Sequence, residues 1–314
     1  MKELIIVEPF QEGILPFQKP IYNLCVQMNL NTEAKIVTPR CIHAFLYRFK
    51  NFNIYQNKRI AKIVFVSGTH IEPMIFPTAF TNEIIPIIWD CWPYTVNNVV
   101  KALKRCKVKM AIFTSSQSAE IIKKYIPTLD VVYMPEAIDT KLYHKGKRLS
   151  SRNIDLLEFG RTNRQIHEML LKANINNHLY SKNGEKLFED FNDFAINLAN
   201  SKIVITLPRC DTHPELAGNI ETLTQRYWEC MISRNIMLGR APKELVDLIG
   251  YNPVITIDDN SLDKQIKHIL DNLSDYQELV DKNYQTALQY GDWQIRIKEL
   301  SYMLYRKGYN CFNK

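Results

Sequence analysis

Short apolar runs alternate along the chain with segments of helical period. In the first part, residues 4–7, 61–66, 83–89, 109–114 and 130–134 read as strands, because each run is brief, rich in β-branched residues and bounded by turn residues. Pro86 interrupts the third run. Ser67-Gly68-Thr69 reads as a turn, and the serines of 115–118 cap a helix from about Ala119 to about Tyr125. A polar, basic stretch over 141–153 reads as a linker. The pattern then restarts. Strands are expected at 154–159, 177–180, 202–207, 236–238 and 254–257, and helices at 165–173, 191–201, after Glu221 and from Ser261. Pro242 and Gly250 bracket one more helix, and 275–306 is helical with a break near Gly291. Strands alternating with helices imply parallel β-α-β units. The expectation is an α/β protein of two Rossmann-like domains facing across a cleft: residues 1–150, residues 151–290, and a C-terminal helix over 291–314 packing back toward the first domain.

Composition narrows the class. A chain of 314 residues has room for two ordinary domains. No apolar run approaches the roughly 18–20 residues that span a bilayer. MKELIIVEPF is a first strand and too short for a signal peptide. Seven scattered cysteines without a C-x-x-C fit reduced thiols in a cytoplasmic protein, and argue against a zinc site or a disulfide framework. Charge is uneven. Residues 1–150 hold 20 Lys+Arg against 11 Asp+Glu, a net of +9, while the remainder holds 20 against 22, a net of −2. A basic first half suits an anionic partner, whether a membrane surface, a phosphorylated lipid or nucleic acid. Its densest cluster is Lys101, Lys104, Arg105, Lys107 and Lys109, and Lys145, Lys147 and Arg148 form a second.

Candidate chemistry gathers in the second half. Glu221 and Glu229 are separated by seven residues and follow KIVITLPRC, a run suited to a buried strand. Glu221 then lies in a strand-to-helix loop and Glu229 about two turns into the helix. That edge of an open α/β sheet is where ligands bind. Paired carboxylates accept hydrogen bonds from a polyhydroxylated ligand. Thr222 and Gln225 read as a T-x-x-Q capping box starting the helix at about Leu223, and a helix start attracts phosphate. Upstream, Gly160-Arg161-Thr162-Asn163-Arg164 follows a strand. Glycine there permits close approach, and two arginines can hold a diphosphate. Neither G-x-G-x-x-G in this half nor a P-loop motif anywhere is present.

The order of strand–Gly-Arg, SKIVITLP, E-x7-E and a final helix with Trp resembles the C-terminal half of GT-B glycosyltransferases. Within these it looks like the E-x7-E group of retaining, nucleotide-sugar-dependent enzymes, the bacterial "glycosyltransferase family 1" type. Met134-Pro135-Glu136-Ala137-Ile138-Asp139-Thr140 resembles the P-N-G-I-D phrase closing the family's first domain, and Asp292-Trp293-Gln294-Ile295-Arg296 resembles the T-W-x-x-R opening of its last helix. The resemblance covers about Ile112 to about Leu304.

The resemblance implies roles for matching positions. Glu229 would hold the nucleotide ribose and Glu221 would contact the donor sugar. Amides at Thr222, Leu223 and Thr224 would bind sugar hydroxyls or phosphate. Gly160 and Arg161 would meet the leaving diphosphate. The family lysine that follows is Ile166 here, with Arg164 as its replacement. Arg209, Asp211 and His213 form a loop expected near the donor sugar. In the first half, His70 and Asp90 follow strands and are candidates to orient or deprotonate the acceptor hydroxyl. Trp89, Trp92 and Tyr94 suit either sugar stacking or the core.

The function implied is retaining glycosyl transfer from a nucleotide-sugar co-substrate, with no cofactor and no metal, in cell-surface polysaccharide or glycolipid assembly. The expected location is cytoplasmic, with the inner membrane face as an option for the basic half. A DNA-modifying glycosyltransferase, a non-catalytic sugar- or nucleotide-binding protein and a nucleotide-sugar epimerase stand as alternatives.

Overall fold

The computed structural model describes residues 3–7, 19–32, 34–37, 62–68, 82–181 and 185–309. They fall into two compact units, one from 1–136 with 293–314 and the other Ala137–Asp292. Each unit is built on one parallel sheet.

The first sheet contains β1 (Glu3–Val7), β2 (Lys35–Val37), β3 (Lys62–Gly68), β4 (Glu83–Ile88), β5 (Met110–Phe113) and β6 (Asp130–Tyr133), in the order β2-β1-β3-β4-β5-β6. Ser67 and Gly68 continue β3 instead of turning. Pro86 sits inside β4 without breaking it, because the ladder to β5 begins only at Ile87. All six β4 side chains are buried. Val96, Val99, Val100 and Leu103 from the helix Val96–Arg105 pack with Ile84, Ile88 and Phe113. The helix Ser116–Tyr125 starts three residues before the predicted Ala119, with Ser115 as its cap accepting from the Ser118 amide. The helix Trp293–Arg306 belongs to this unit and buries Trp293, Ile297, Leu300 and Leu304. Trp89 packs against Trp293 with ring centroids 5.8 Å apart, and Tyr309 donates to Glu83 Oε1 at 2.7 Å.

The second sheet holds β7 (Ile154–Leu157), β8 (His178–Leu179), β9 (Ser201–Thr206), β10 (Ile236–Gly239) and β11 (Ile255–Thr256), in the order β11-β10-β9-β7-β8. Alternate residues face opposite layers. Leu157, Val204 and Met237 pack with Tyr227, Trp228 and Met231, while Leu156, Ile203 and Ile236 pack with Leu170, Ile266 and Val280. Both faces are therefore covered, as parallel sheets require. Each large side chain so buried contributes about 1.5–3 kcal/mol.

The basic stretch over 141–153 is part of this second unit. Arg152 is buried, and its Nη1 donates to the Ser201 carbonyl at 2.7 Å. Burial pulls its pKa down to about 10, helped by the nearby Arg234 charge. Lys145 Nζ lies 4.6 Å from the Tyr284 ring centroid.

Candidate functional site

In the second sheet β7 lies between β8 and β9, so the direction of strand progression reverses at β7. Ligands of open α/β sheets bind outside the C-terminal strand ends at such a reversal. Glu158-Phe159-Gly160-Arg161 leaves β7 there, and Leu207-Pro208-Arg209 leaves β9. A cavity of about 420 Å³ opens at this edge, walled by Phe159, Gly160, His167, Tyr180, Phe188 and Phe194 among others.

Gly160 takes φ +68°, the left-handed region that side chains disfavour. Its lack of a side chain also makes room for an arginine. A Cβ there would stand 2.2 Å from Arg226 Nη2. Arg226 belongs to the helix Gln225–Ile232, and its Nη1 donates to the Arg161 carbonyl at 3.1 Å. Its guanidinium lies 4.9 Å from the Phe159 ring centroid. Among the described residues it forms no carboxylate ion pair, so its charge faces the Gly160-Arg161 loop. Arg161 itself is exposed. Arg164 opens the helix Arg164–Lys172 and pairs with Glu168 at 3.0 Å, its side chain 93% exposed. The second cation beside Gly160 is thus Arg226, a residue sequence reading did not single out.

One turn after Arg226 stands Glu229, partly buried on the same helix. Tyr143 donates its hydroxyl to Glu229 Oε1 at 2.7 Å. Burial raises the Glu229 pKa, while the Tyr143 hydrogen bond and the Arg226 charge oppose the shift. Tyr143 packs edge-on against Phe191 and Phe194, with centroids 5.3 and 6.5 Å away. Phe194 is a cavity wall, so the carboxylate, Arg226 and the aromatic pocket form one connected site.

Glu221 joins a different cluster. Arg240, directly after β10, donates from Nε and Nη2 to the two carboxylate oxygens of Asp211, at 2.7 Å each. Its Nη1 bonds Glu221 Oε1, and Glu221 Oε2 accepts from the Lys243 amide at 3.1 Å. Asp211 and Glu221 are therefore brought together, by an arginine that sequence reading missed. The bidentate bond to Asp211 holds the Arg240 charge and raises its pKa. A second cavity of about 250 Å³ borders Asp211, Gly239 and Arg240.

The capping box is not formed. The helix begins at Gln225 with Thr224 at its cap, and Gln225 Nε2 donates to the Ala137 carbonyl at 2.7 Å instead of turning back. Glu229 is consequently the fifth residue of that helix and not two turns into it. The Leu223 amide donates to Glu244 Oε2 at 2.9 Å, while the Thr222 hydroxyl is buried without a partner among the described residues. Arg209 begins a short turn, Arg209–Thr212, and His213 Nδ1 lies 3.1 Å from Thr212 Oγ1. Asp90 follows β4 with φ +50°, half-buried. Trp89 and Trp92 are core residues and Tyr94 is exposed. His70 lies outside the described residues. No cluster suited to a metal ion occurs among the described residues, and no helix there is long and apolar enough to cross a membrane.

No protein-family model matches the chain, and no curated protein matches it. Solved structures do. Sucrose-phosphate synthase from Thermosynechococcus elongatus superposes with a TM-score of 0.65 at 11% identity, over 97% of this chain and 98% of that one. The chain has a glycosyltransferase fold. HepE of Anabaena, solved with UDP and glucose, gives a TM-score of 0.64 at 8% identity, over 97% of this chain and 100% of that one. An α-glucosyltransferase solved with UDP and a 13-mer DNA gives 0.55 at 11% identity, over 97% and 100%. The α/β class with two Rossmann-like units, of GT-B type, follows from these likenesses together with the two parallel sheets.

Proposed function

We propose that the protein is a glycosyltransferase that moves a sugar from a nucleotide-sugar donor to a hydroxyl acceptor, with retention, in cell-surface polysaccharide or glycolipid assembly. The observation that carries this reading is the placement of Arg226 over Gly160, beside Arg161 and an aromatic cavity at the sheet's reversal point. Transfer breaks the bond between the anomeric carbon and the diphosphate oxygen as the acceptor oxygen bonds that carbon. Negative charge grows on the diphosphate while the sugar becomes oxocarbenium-like. Arg226, held over Gly160, and Arg161 in the adjoining loop would stabilise that charge.

In this reading Glu229 binds the ribose hydroxyls, with Tyr143 holding one carboxylate oxygen and leaving the other for the ligand. Glu221, fixed by Arg240 and the Lys243 amide, receives donor-sugar hydroxyls with Asp211 and His213 nearby in sequence. Residues 1–150 supply the acceptor side, where His70 or Asp90 takes the acceptor proton. HepE was solved with UDP and glucose, which supports a nucleotide-sugar donor here. The E-x7-E resemblance supports retention. A screen of UDP-, GDP- and other nucleotide sugars, read by calorimetry and by product release, tests the proposal. Absence of both binding and hydrolysis across the set would sink it.

A DNA acceptor is the second reading. Lys101, Lys104, Lys107 and Lys109 are all exposed at and after the helix Val96–Arg105, and one structural neighbour was solved with DNA. DNA affinity falling steeply with salt would favour it. No DNA binding at low salt would remove it.

A further inference from the structure

Glu158 follows the end of β7, and its side chain is only 1% exposed. It lies between two histidines. His167 Nδ1 is 2.9 Å from Glu158 Oε1 and 3.1 Å from Oε2, and His178 Nε2 is 2.7 Å from Oε1. A carboxylate offers only acceptor atoms, so the nitrogens facing it carry the hydrogens. Tyr180 packs on both imidazoles, with centroids 5.2 and 4.6 Å away. The cluster is locked in place, and none of the chemistry above uses it.

The two histidines differ in access. His178 is 6% exposed in its side chain, whereas His167 is 27% exposed and lines the 420 Å³ cavity. With the hydrogen fixed on Nδ1, a neutral imidazole presents Nε2 as a bare acceptor. Among the described residues, His167 Nε2 makes no hydrogen bond. Four of the other walls are aromatic (Phe159, Tyr180, Phe188 and Phe194) and can stack on any flat base without telling one from another, with Thr162 and Ser181 as further polar walls. The cavity therefore joins a base-blind stacking surface to an acceptor whose ring is oriented by Glu158.

We infer that His167 reads the nucleobase of the donor. Its Nε2 accepts a hydrogen bond from a ring N–H, which selects uracil, thymine or guanine against cytosine and adenine. The favoured bases carry a hydrogen on the ring nitrogen of their pairing edge, and the disfavoured ones present a lone pair there. Two facing acceptors would leave both unsatisfied in a partly desolvated pocket. Glu158, held in turn by His178, is the positioning residue that fixes the tautomer. The inference rests on the nucleotide-sugar reading above and adds the class of nucleotide.

The test is calorimetric titration of UDP, GDP, CDP and ADP into the full chain, His167→Asn and His167→Ala. Asparagine keeps an N–H near the Nδ1 position for Glu158 but deletes Nε2. A merely structural histidine would be rescued by it. The expected result is at least about ten-fold tighter binding of UDP or GDP than of CDP and ADP by the wild type. In His167→Asn that discrimination collapses while CDP affinity changes less than about two-fold. His167→Ala gives the same loss of discrimination if the asparagine variant does not fold. Discrimination that survives in a folded variant, or a wild type that prefers CDP or ADP, would overturn the assignment alone. A wild type that binds none of the four would overturn the nucleotide reading and the assignment with it.

Discussion

Tyr143 donates its hydroxyl to Glu229 Oε1 across 2.7 Å, tying a residue of the basic 141–153 stretch to the helix that carries the second glutamate. The bond only partly offsets the cost of burying that carboxylate, whose pKa stays above its ordinary value of 4.5. The folded state therefore holds this proton to higher pH than the unfolded state does. Its contribution to stability is complete below about 4.5 and is lost as pH rises through the raised folded value. Glu229→Gln cannot titrate. Urea denaturation from about pH 4 to 7 should show wild type losing stability relative to Glu229→Gln as pH rises. A wild type that gains on the variant over that range would mean the Tyr143 bond outweighs burial.

Arg240 holds Glu221 and Asp211 through a planar fork that lysine cannot reproduce. Its side chain is 39% exposed, so the pairs are partly screened and the loss of stability in Arg240→Lys should be only about 1 kcal/mol. The functional loss should be larger, because Glu221 Oε1 would lose the fork that orients it while Oε2 keeps the Lys243 amide. Sugar transfer by Arg240→Lys is expected to fall about ten-fold in kcat with nucleotide affinity nearly unchanged. Nucleotide affinity that drops as far as kcat would place Arg240 in nucleotide binding instead.

Arg226 and Arg164 separate two accounts of the diphosphate. Arg226 sits over Gly160 and the Phe159 ring, while Arg164 is committed to Glu168 on its own helix. Arg226→Ala should weaken nucleoside diphosphate binding about ten-fold or more, and Arg164→Ala about two-fold at most. Titration of the same diphosphate into both variants decides the order. The reverse ranking would return the role to Arg164.

Much of this site was legible before the fold. The strands β7, β9 and β10 are buried on both faces, so they stand out as continuous apolar runs, and Gly160-Arg161 and Glu221 follow two of them. Arg226 and Arg240 were not legible, since a lone Arg has no period. Arg240 reaches Asp211 because β10 pairs with β9 in parallel and the Arg240 amide bonds the Thr206 carbonyl at 3.0 Å. Arg226 reaches Gly160 only once its helix is seated on the sheet. The expected capping box failed for a related reason. Thr222 is buried, and Gln225 finds a tertiary acceptor in Ala137. The Glu158–His178 pair likewise needed the β7–β8 register, in which Leu157 stands beside Leu179.

Gly239 ends β10 where the backbones of β9 and β10 come too close for any side chain. A Cβ there would stand 1.8 Å from the Thr206 carbonyl oxygen and 2.7 Å from its carbon. Those atoms belong to a strand paired on both sides, so they cannot swing aside as a side chain can. At Gly160 the nearest atom is instead the tip of Arg226, which can move, leaving mainly the strain of a positive φ. Gly160→Ala should therefore cost about 1 kcal/mol, whereas Gly239→Ala should cost more than about 3 kcal/mol. In a thermal melt the second corresponds to a fall of roughly 6–12 °C or more, or to failure to fold. Equal, small shifts for both variants would show that β9 and β10 are free to part at this end, and Arg240 could then not hold Asp211 and Glu221 in a fixed place.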